Sequence, residues 1–415
     1  MKKYIPLSIS LLFICVLLVL LNCSKTSKDN TIISSRAYSG HESDLDANNF
    51  VRIFKHTVAT RLDNCQTCHK GGTITYNNEG SPGKTKSINN PCSYCHIKVF
   101  ENPSNYYDGY PDTYEKTLNN FGLAYKHAGR TEQALREIKD IDSDEDGFTN
   151  TDEIAELRFP GDANSKPGQP IAGTIELSFS QVTAMNYHEQ FMLMNTTKQQ
   201  YDEYVLFGGV KIKDFFSQAG IDLTGATGFT VFAPDGYQID FIFSDFDYFS
   251  DSSGFPNSIF YDLRQIQETW PLDQQFVLYP DIIPDGISNG DSLENLHMMI
   301  AYKRNGQYLD PSYYDSTDGR INGEGPFRII RPQYSNDNGD VSNAYRPDRG
   351  SKSSSYLDGW DFLGFDYDHN AGDAVKGTCV IRIDPMPKGY EEYDWKNGWD
   401  LIQDKKIIIY GHGIH

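Results

Sequence analysis

Two stretches, NCQTCHKGG from Asn64 and PCSYCHIKV from Pro91, carry the same C-x-x-C-H spacing; their first cysteines stand 27 residues apart in a chain of 415 with seven cysteines. The residues between them, KGGTITYNNEGSPGKTKSINNP, show no apolar repeat of helical or strand period. A segment so poor in apolar surface cannot offset the entropy of ordering its own backbone. Something other than side-chain packing must hold it, and the paired clusters are the place to look. From this composition one such cluster arises by chance roughly 0.003 times, so two are not an accident.

Two thiols at this spacing, followed at once by histidine, form the attachment sequence of a c-type haem. The cysteines add across two vinyl groups, and the histidine stands where it can ligate iron from one side. Cys65, Cys68 and His69 are expected to hold one haem, and Cys92, Cys95 and His96 a second. A dithiol redox pair would need a βαβ context, which the flanking sequence lacks. A four-cysteine zinc site would not require histidines at matching positions. No methionine occurs between residues 24 and 170, so the spare histidines His41, His56 and His127 are the candidates for the sixth ligands. Histidine on both sides gives a lower reduction potential than His/Met ligation. The short spacing implies haems close enough to exchange electrons.

The N-terminus, MKKYIPLSISLLFICVLLVLLNCSK, sets Lys2 and Lys3 before an apolar run from Ile5 to Leu21, short for a membrane span and closed by a cysteine. Residues 1–22 therefore read as an export signal. Leu20 to Cys23 resembles a bacterial lipobox, which implies lipidation of Cys23 and attachment to a membrane. With Ser24 next, it implies an outer-membrane lipoprotein facing the periplasm or the cell surface. Residues 23–47 are polar and read as a flexible tether. Export agrees with haem attachment, which takes place outside the cytoplasm. The formal net charge is −20. So acidic a surface repels phosphates, which excludes nucleic acid as a partner and favours a basic or membrane-bound redox protein.

Residues 48–163 read as a small, mainly helical unit, residues 164–170 as a Gly/Pro/Ser linker, and 171–415 as a β-rich unit. NFVRIFKHTVATRL places Phe50, Ile53, Phe54, Val58 and Leu62 on one helical face, and DTYEKTLNNFGLAY and TEQALREIKDI repeat the pattern. After the linker, GTIELSF, GFTVFA, QIDFIF, PFRIIRP, TCVIRID and KKIIIYG read as strands, with helices expected at VKIKDFFSQAGI and SLENLHMMIAY.

DSDEDGFTNTDE supplies a second constellation. Asp142, Asp144, Asp146, Phe148 (through its carbonyl), Asn150 and Glu153 occupy positions 1, 3, 5, 7, 9 and 12 of a calcium loop, with Gly147 at the sharp turn. One Ca2+ that steadies the helical unit is the expected occupant. FDYDHNAGD, FSDFDYFSDSSG and the terminal GHGIH read as solvated polar loops and a loose end.

The stretch IDSDEDGFTNTDEIAELRFPGDANSKPG, with LNNFGLAY before it, resembles the calcium loop and Pro-Gly-Asp ending beside haem sites in exported bacterial cytochromes. GGVKIKDFFSQAGIDLTGATGFTVFAPDGYQIDF and GEGPFRIIRP resemble parts of the sulfite-oxidase-type molybdopterin fold. That fold binds molybdenum through a cysteine early in the domain, whereas the cysteine here is Cys379, in GTCVIRI near the C-terminus, where it reads as a small buried apolar residue. The departure argues against molybdopterin. Taken together, the two C-x-x-C-H clusters and GEGP at Gly323–Pro326 make the chain similar to the bacterial diheme proteins named for that motif. The expected fold is α+β and multidomain: a helical diheme cytochrome c unit with an EF-hand-like loop, then a mixed, β-rich, sulfite-oxidase-like unit. The resemblance implies electron transfer. Alternatives are an oxidoreductase whose second domain acts on a small molecule, or a second domain that serves as a docking module.

Overall fold

The computed structural model describes residues 45–63, 65–69, 73–77, 85–89, 114–196, 201–234, 237–244, 258–269, 275–315, 320–333, 370–393 and 398–414, with Phe255 and Pro347. Among these residues the molecule is a mixed α+β protein in which sheet outweighs helix. No described helix is long and apolar enough to cross a membrane. Cys23, His41, Cys92, Cys95, His96, the export signal and most of the tether lie outside the described residues.

Four short helices gather around one apolar cluster. They are α1 (Leu45–Ile53), α2 (Asn120–His127), α3 (Glu132–Ile138) and α4 (Asn150–Ala155). Phe50, Phe121, Tyr125, Leu135, Ile154 and Phe159 meet in its centre. The first expected helix is shorter than its apolar pattern. It ends at Ile53, because the Thr57 and Thr60 hydroxyls bond back to the carbonyls of Phe54 and Thr57 at 2.7 and 2.6 Å and turn the chain away. Val58 is left largely exposed. The second expected helix is broken at Asn119, whose backbone is extended and whose side chain caps α2 by accepting the Gly122 N–H.

The stretch between the two clusters, expected to be irregular, holds a β-hairpin. Strands β1 (Thr73–Asn77) and β2 (Thr85–Asn89) pair antiparallel over five residues. Its TITYN and TKSIN alternate polar and β-branched residues too briefly to stand out from the surrounding loop. Further strands in chain order are β3 (Thr174–Ser178), β4 (His188–Met194), β5 (Asp202–Lys211), β6 (Gly228–Phe232), β7 (Tyr237–Ile242) and β8 (Val277–Leu278). Then come β9 (Met299–Arg304), β10 (Gln307–Tyr308), β11 (Arg328–Ile330), β12 (Val380–Asp384) and β13 (Lys406–Gly411). The larger sheet runs β1-β2-β7-β6-β12-β13-β3, antiparallel except for β12 and β13. The second runs β10-β9-β5-β4, with β11 also paired to β9 and β8 lying parallel beside β5.

Period-two alternation sorts the larger sheet's side chains between two cores. Ile407 and Ile409 of β13, Ile381 and Ile383 of β12, and Phe229 and Val231 of β6 enter the main cluster, which they share with Met192, Val205, Phe207 and Ile300 of the second sheet. Ile408, Tyr410, Val380 and Phe232 face the other way, onto Ile402 of a helix spanning Gly398–Asp404. Cys379 belongs to this second cluster and is fully buried, its Sγ 3.5 Å from the Phe232 carbonyl. The expected helix at SLENLHMMIAY is instead two strand pieces, Ser292–Leu293 and the start of β9, with residues 294–298 in neither helix nor strand. Met299, Ile300 and Ala301 are buried between β5 and β11, and an apolar run buried on both faces has lost the alternation that marks a strand.

Candidate metal centres

The first C-x-x-C-H lies on a tight turn, Cys65–Thr67, at the edge of the helical cluster. Asn119 holds it. Its backbone N–H donates to the Cys68 carbonyl at 3.0 Å, and its Nδ2 donates to the carbonyls of Gln66 and Thr67 at 3.0 and 3.1 Å. Its Oδ1 meanwhile accepts the Gly122 N–H at 2.8 Å. One buried asparagine thus caps α2 and, through its side chain and its own N–H, fixes three successive carbonyls of the cluster. Two glycines make room for this. A Cβ on Gly122 would sit 2.0 Å from the Cys68 carbonyl oxygen, and one on Gly161 would sit 2.5 Å from the Asn119 amide carbon. The Gly of Pro-Gly-Asp is therefore required by packing.

His69 forms a β-bridge with Leu118, and its Nδ1 lies 3.1 Å from the Thr117 hydroxyl. With Nδ1 as donor, the ring's lone pair rests on Nε2, the tautomer that ligates a metal. Cys68 is half-buried against the aromatic cluster and forms no disulfide among the described residues. The Cys65 side chain lies outside the described residues. These features fit a covalent haem on this turn: an anchored histidine, a half-buried thiol and a backbone clamp. Of the candidate sixth ligands, His56 places Nε2 2.9 Å from the Ile154 carbonyl, while His127 is exposed at the end of α2. Sequence reasoning passed over Asn119, Thr117 and Gly122, although an asparagine three residues before a glycine at a helix start is a readable cap.

The acidic loop is fully described. Asp142 is its organiser: Oδ1 accepts the N–H groups of Glu145 and Asp146 at 2.7 and 3.3 Å, and Oδ2 accepts that of Gly147 at 2.9 Å. Gly147 takes φ +100°, as the sharp turn demands. These N–H groups hold the Asp142 carboxyl below its usual range, the Gly147 bond foremost. Candidate ligand oxygens of Asp142, Asp144 and Asp146 all lie within 4.8 Å of one another. Thr149 and Asp152 form a capping box on α4, which carries Asn150 and Glu153 inward, each 0% exposed. Asn150 donates Nδ2 to the Ile138 carbonyl at 2.7 Å, so its Oδ1 is turned the other way.

The decisive feature is what these oxygens lack. Both oxygens of Asp144, both of Glu153, Asp146 Oδ2 and Asn150 Oδ1 are buried with no hydrogen-bond partner. Burial, then the nearby Asp144, Asp146 and Asp142, pushes the Glu153 carboxyl up to about 9, and burial with Asp146 beside it pushes Asp144 up to about 6. Unpartnered buried oxygens are costly; those of Asp144 and Asp146 lie together with Asp142, and Glu153 is near enough to be raised by all three. A hard cation with oxygen ligands relieves that cost, and the donor set suits calcium. The arrangement fits the expected ion.

GEGP, by contrast, forms a tightly packed corner. Gly323 takes φ +77° with the Pro311 carbonyl where a Cβ would stand, and the Gly325 N–H donates to Asp310 at 2.7 Å. Glu324 Oε1 lies 2.9 Å from both Arg304 Nη1 and Arg328 Nη1, and Arg304 also pairs with Glu203. Burial opposes the Glu324 charge, yet Arg328, Arg304 and Lys376 hold its carboxyl below the usual range. Asp373, the described acid of FDYDHNAGD, pairs with Arg331. His412 Nε2 meets the Thr224 carbonyl at 2.8 Å.

Comparison with known proteins returns no match: no family model, no curated protein and no solved structure.

Proposed function

We propose that this chain is an exported, lipid-anchored diheme c-type cytochrome that passes electrons to or from a redox partner, and that a calcium ion steadies its helical unit. The observation that carries the reading is the doubled C-x-x-C-H. In the first copy, Asn119 clamps the backbone and Thr117 meets the histidine's Nδ1. A haem iron supplies one reversible electron at each site. Cys65 and Cys68 would tether the first haem and Cys92 and Cys95 the second, with His69 and His96 as ligands. His56, His127 and His41 are the candidates for the opposite faces. Phe121 and Tyr125, buried beside Cys68, would exclude water from one side of the first site. Asp142, Asp144, Asp146, the Phe148 carbonyl, Asn150 and Glu153 would hold the calcium. Cys23 would carry the lipid, at the outer membrane, and the acidic surface favours a basic or membrane-bound partner.

The test is expression with a working cytochrome c maturation system, read by intact mass and by the Soret band. Two added haem masses are expected. The double variant Cys65→Ala/Cys68→Ala should remove one, and Cys92→Ala/Cys95→Ala the other. A bare polypeptide mass overturns the reading. The second unit is proposed to keep a sulfite-oxidase-like fold without molybdenum: Cys379, its sole cysteine, is buried among apolar side chains. One molybdenum per chain by elemental analysis would instead establish the oxidoreductase.

A further inference from the structure

Glu391 lies in the sheet unit, where its N–H donates to the Pro170 carbonyl and its own carbonyl accepts the Ala172 N–H, both at 2.9 Å. Its carboxylate is 6% exposed and gathers two arginines from the helical unit: Arg61 Nη2 at 2.5 Å and Arg158 Nη1 at 2.7 Å. The arginines come from two different places. Arg61 stands four residues before Cys65, on the approach to the first C-x-x-C-H, with its guanidinium 4.4 Å above the Phe159 ring. Arg158 stands five residues after Glu153, just beyond α4. Its backbone N–H donates to the Glu153 carbonyl at 2.7 Å. On the opposite side, the His56 ring meets the carbonyl of Ile154, the next residue of α4.

Helix α4 is thus the shared part. With six residues it is too short to be stable by itself, and its place is set by what its side chains meet. At one end Glu153 turns two unpartnered oxygens into the acidic loop. At the other, Arg158 reaches across to the sheet unit. The carboxylates of Asp142, Asp144 and Asp146 lie together, and without a cation among them nothing draws Glu153, and α4 with it, onto the loop. A bound cation supplies that pull.

We propose that calcium occupancy of the Asp142–Glu153 loop controls a clamp, Arg158–Glu391–Arg61, that docks the first haem-attachment segment on the sheet unit. The proposal rests on the calcium reading above and goes beyond it: the ion's role is to set the contact between the two units. Because coupling between two sites is reciprocal, loosening the clamp must weaken calcium binding by the same factor.

The experiment uses the full mature holoprotein, stripped with EDTA and titrated with calcium chloride, with hydrogen–deuterium exchange followed by mass spectrometry. Calcium should slow exchange in residues 142–155 and, in the same transition, in 156–162 and 389–393. In Glu391→Gln calcium should still protect 142–155 but not 389–393, with affinity reduced roughly fivefold or more. Arg158→Gln should behave in the same way, which covers the case in which one variant folds poorly. Protection of 142–155 with 389–393 unchanged in the wild type overturns the clamp while leaving the calcium site standing. Unaltered calcium affinity in a folded Glu391→Gln overturns it too. Absence of any calcium binding removes the site itself, and the clamp with it.

Discussion

Glu153 has both carboxylate oxygens buried with no donor, so its effect on stability should reverse with calcium. At free calcium a hundred times Kd, the wild type should gain about 2.7 kcal/mol by mass action. Glu153→Gln should gain little under those conditions, yet match or exceed the wild type in EDTA, because an amide has no ionisation to suppress on burial. Thermal unfolding with and without calcium checks both halves. His188 tests the sheet unit. Burial holds its imidazole below the usual histidine range; Lys211 adds to this, while Gln190, Asp214 and Glu189 oppose it and the His297 ring packs against it. The unfolded chain therefore takes up the proton first as pH falls from about 6.5, and stability declines through that window until the native imidazole also protonates. His188→Gln should flatten this slope, read from urea midpoints on either side of the window.

At the scale of elements, the junction of α2 with the first cluster is the sharpest test. Gly122 faces the Cys68 carbonyl so closely that even a methyl group forces the two apart. Gly122→Ala should cost about 2 kcal/mol in denaturant titration, as overpacking does. It should also broaden the signals of the first haem more than those of the second. Strands in the sheet unit were readable where alternation survived, as in QIDFIF, or where a short β-branched run was closed off by Lys and Gly, as in KKIIIYG. SLENLHMMIAY misled because burial on both faces removed the alternation. The β1–β2 hairpin escaped notice because its two runs are five residues each and half polar. The break at Asn119 was missed because Leu118 and Phe121 keep helical spacing across it; the asparagine side chain, serving both α2 and the cluster, decides otherwise.

At the scale of the whole molecule, two contacts among the described residues tie the helical part to the sheet unit. Strand β2 pairs with β7 through Ser87–Gln238 and Ile88–Tyr237, and the Glu391 carboxylate grips Arg61 and Arg158. The hairpin between the two C-x-x-C-H clusters is therefore an edge of the larger sheet. Glu391→Ala leaves two largely buried guanidinium groups without their carboxylate. It should cost roughly 3 kcal/mol of stability, the usual penalty for breaking a buried ion pair from one side. Glu391→Ala combined with Arg158→Met should recover part of that loss, which chemical denaturation of the double variant would reveal.

The sequence alone determined which groups stand at ligand spacing: two thiols and a histidine, twice, and six oxygen donors along twelve residues. Such spacing is a property of neighbours along the chain and survives any fold that keeps the turn. It also determined six of the strands, because a short β-branched or alternating run is a local signal. Only the tertiary structure decided that Asn119 clamps the first cluster, that Glu153 and Asn150 are buried with oxygens unsatisfied, and that Glu391 meets Arg61 and Arg158 from more than 200 residues away. Burial and long-range pairing depend on what the rest of the chain brings alongside, and no local pattern records that.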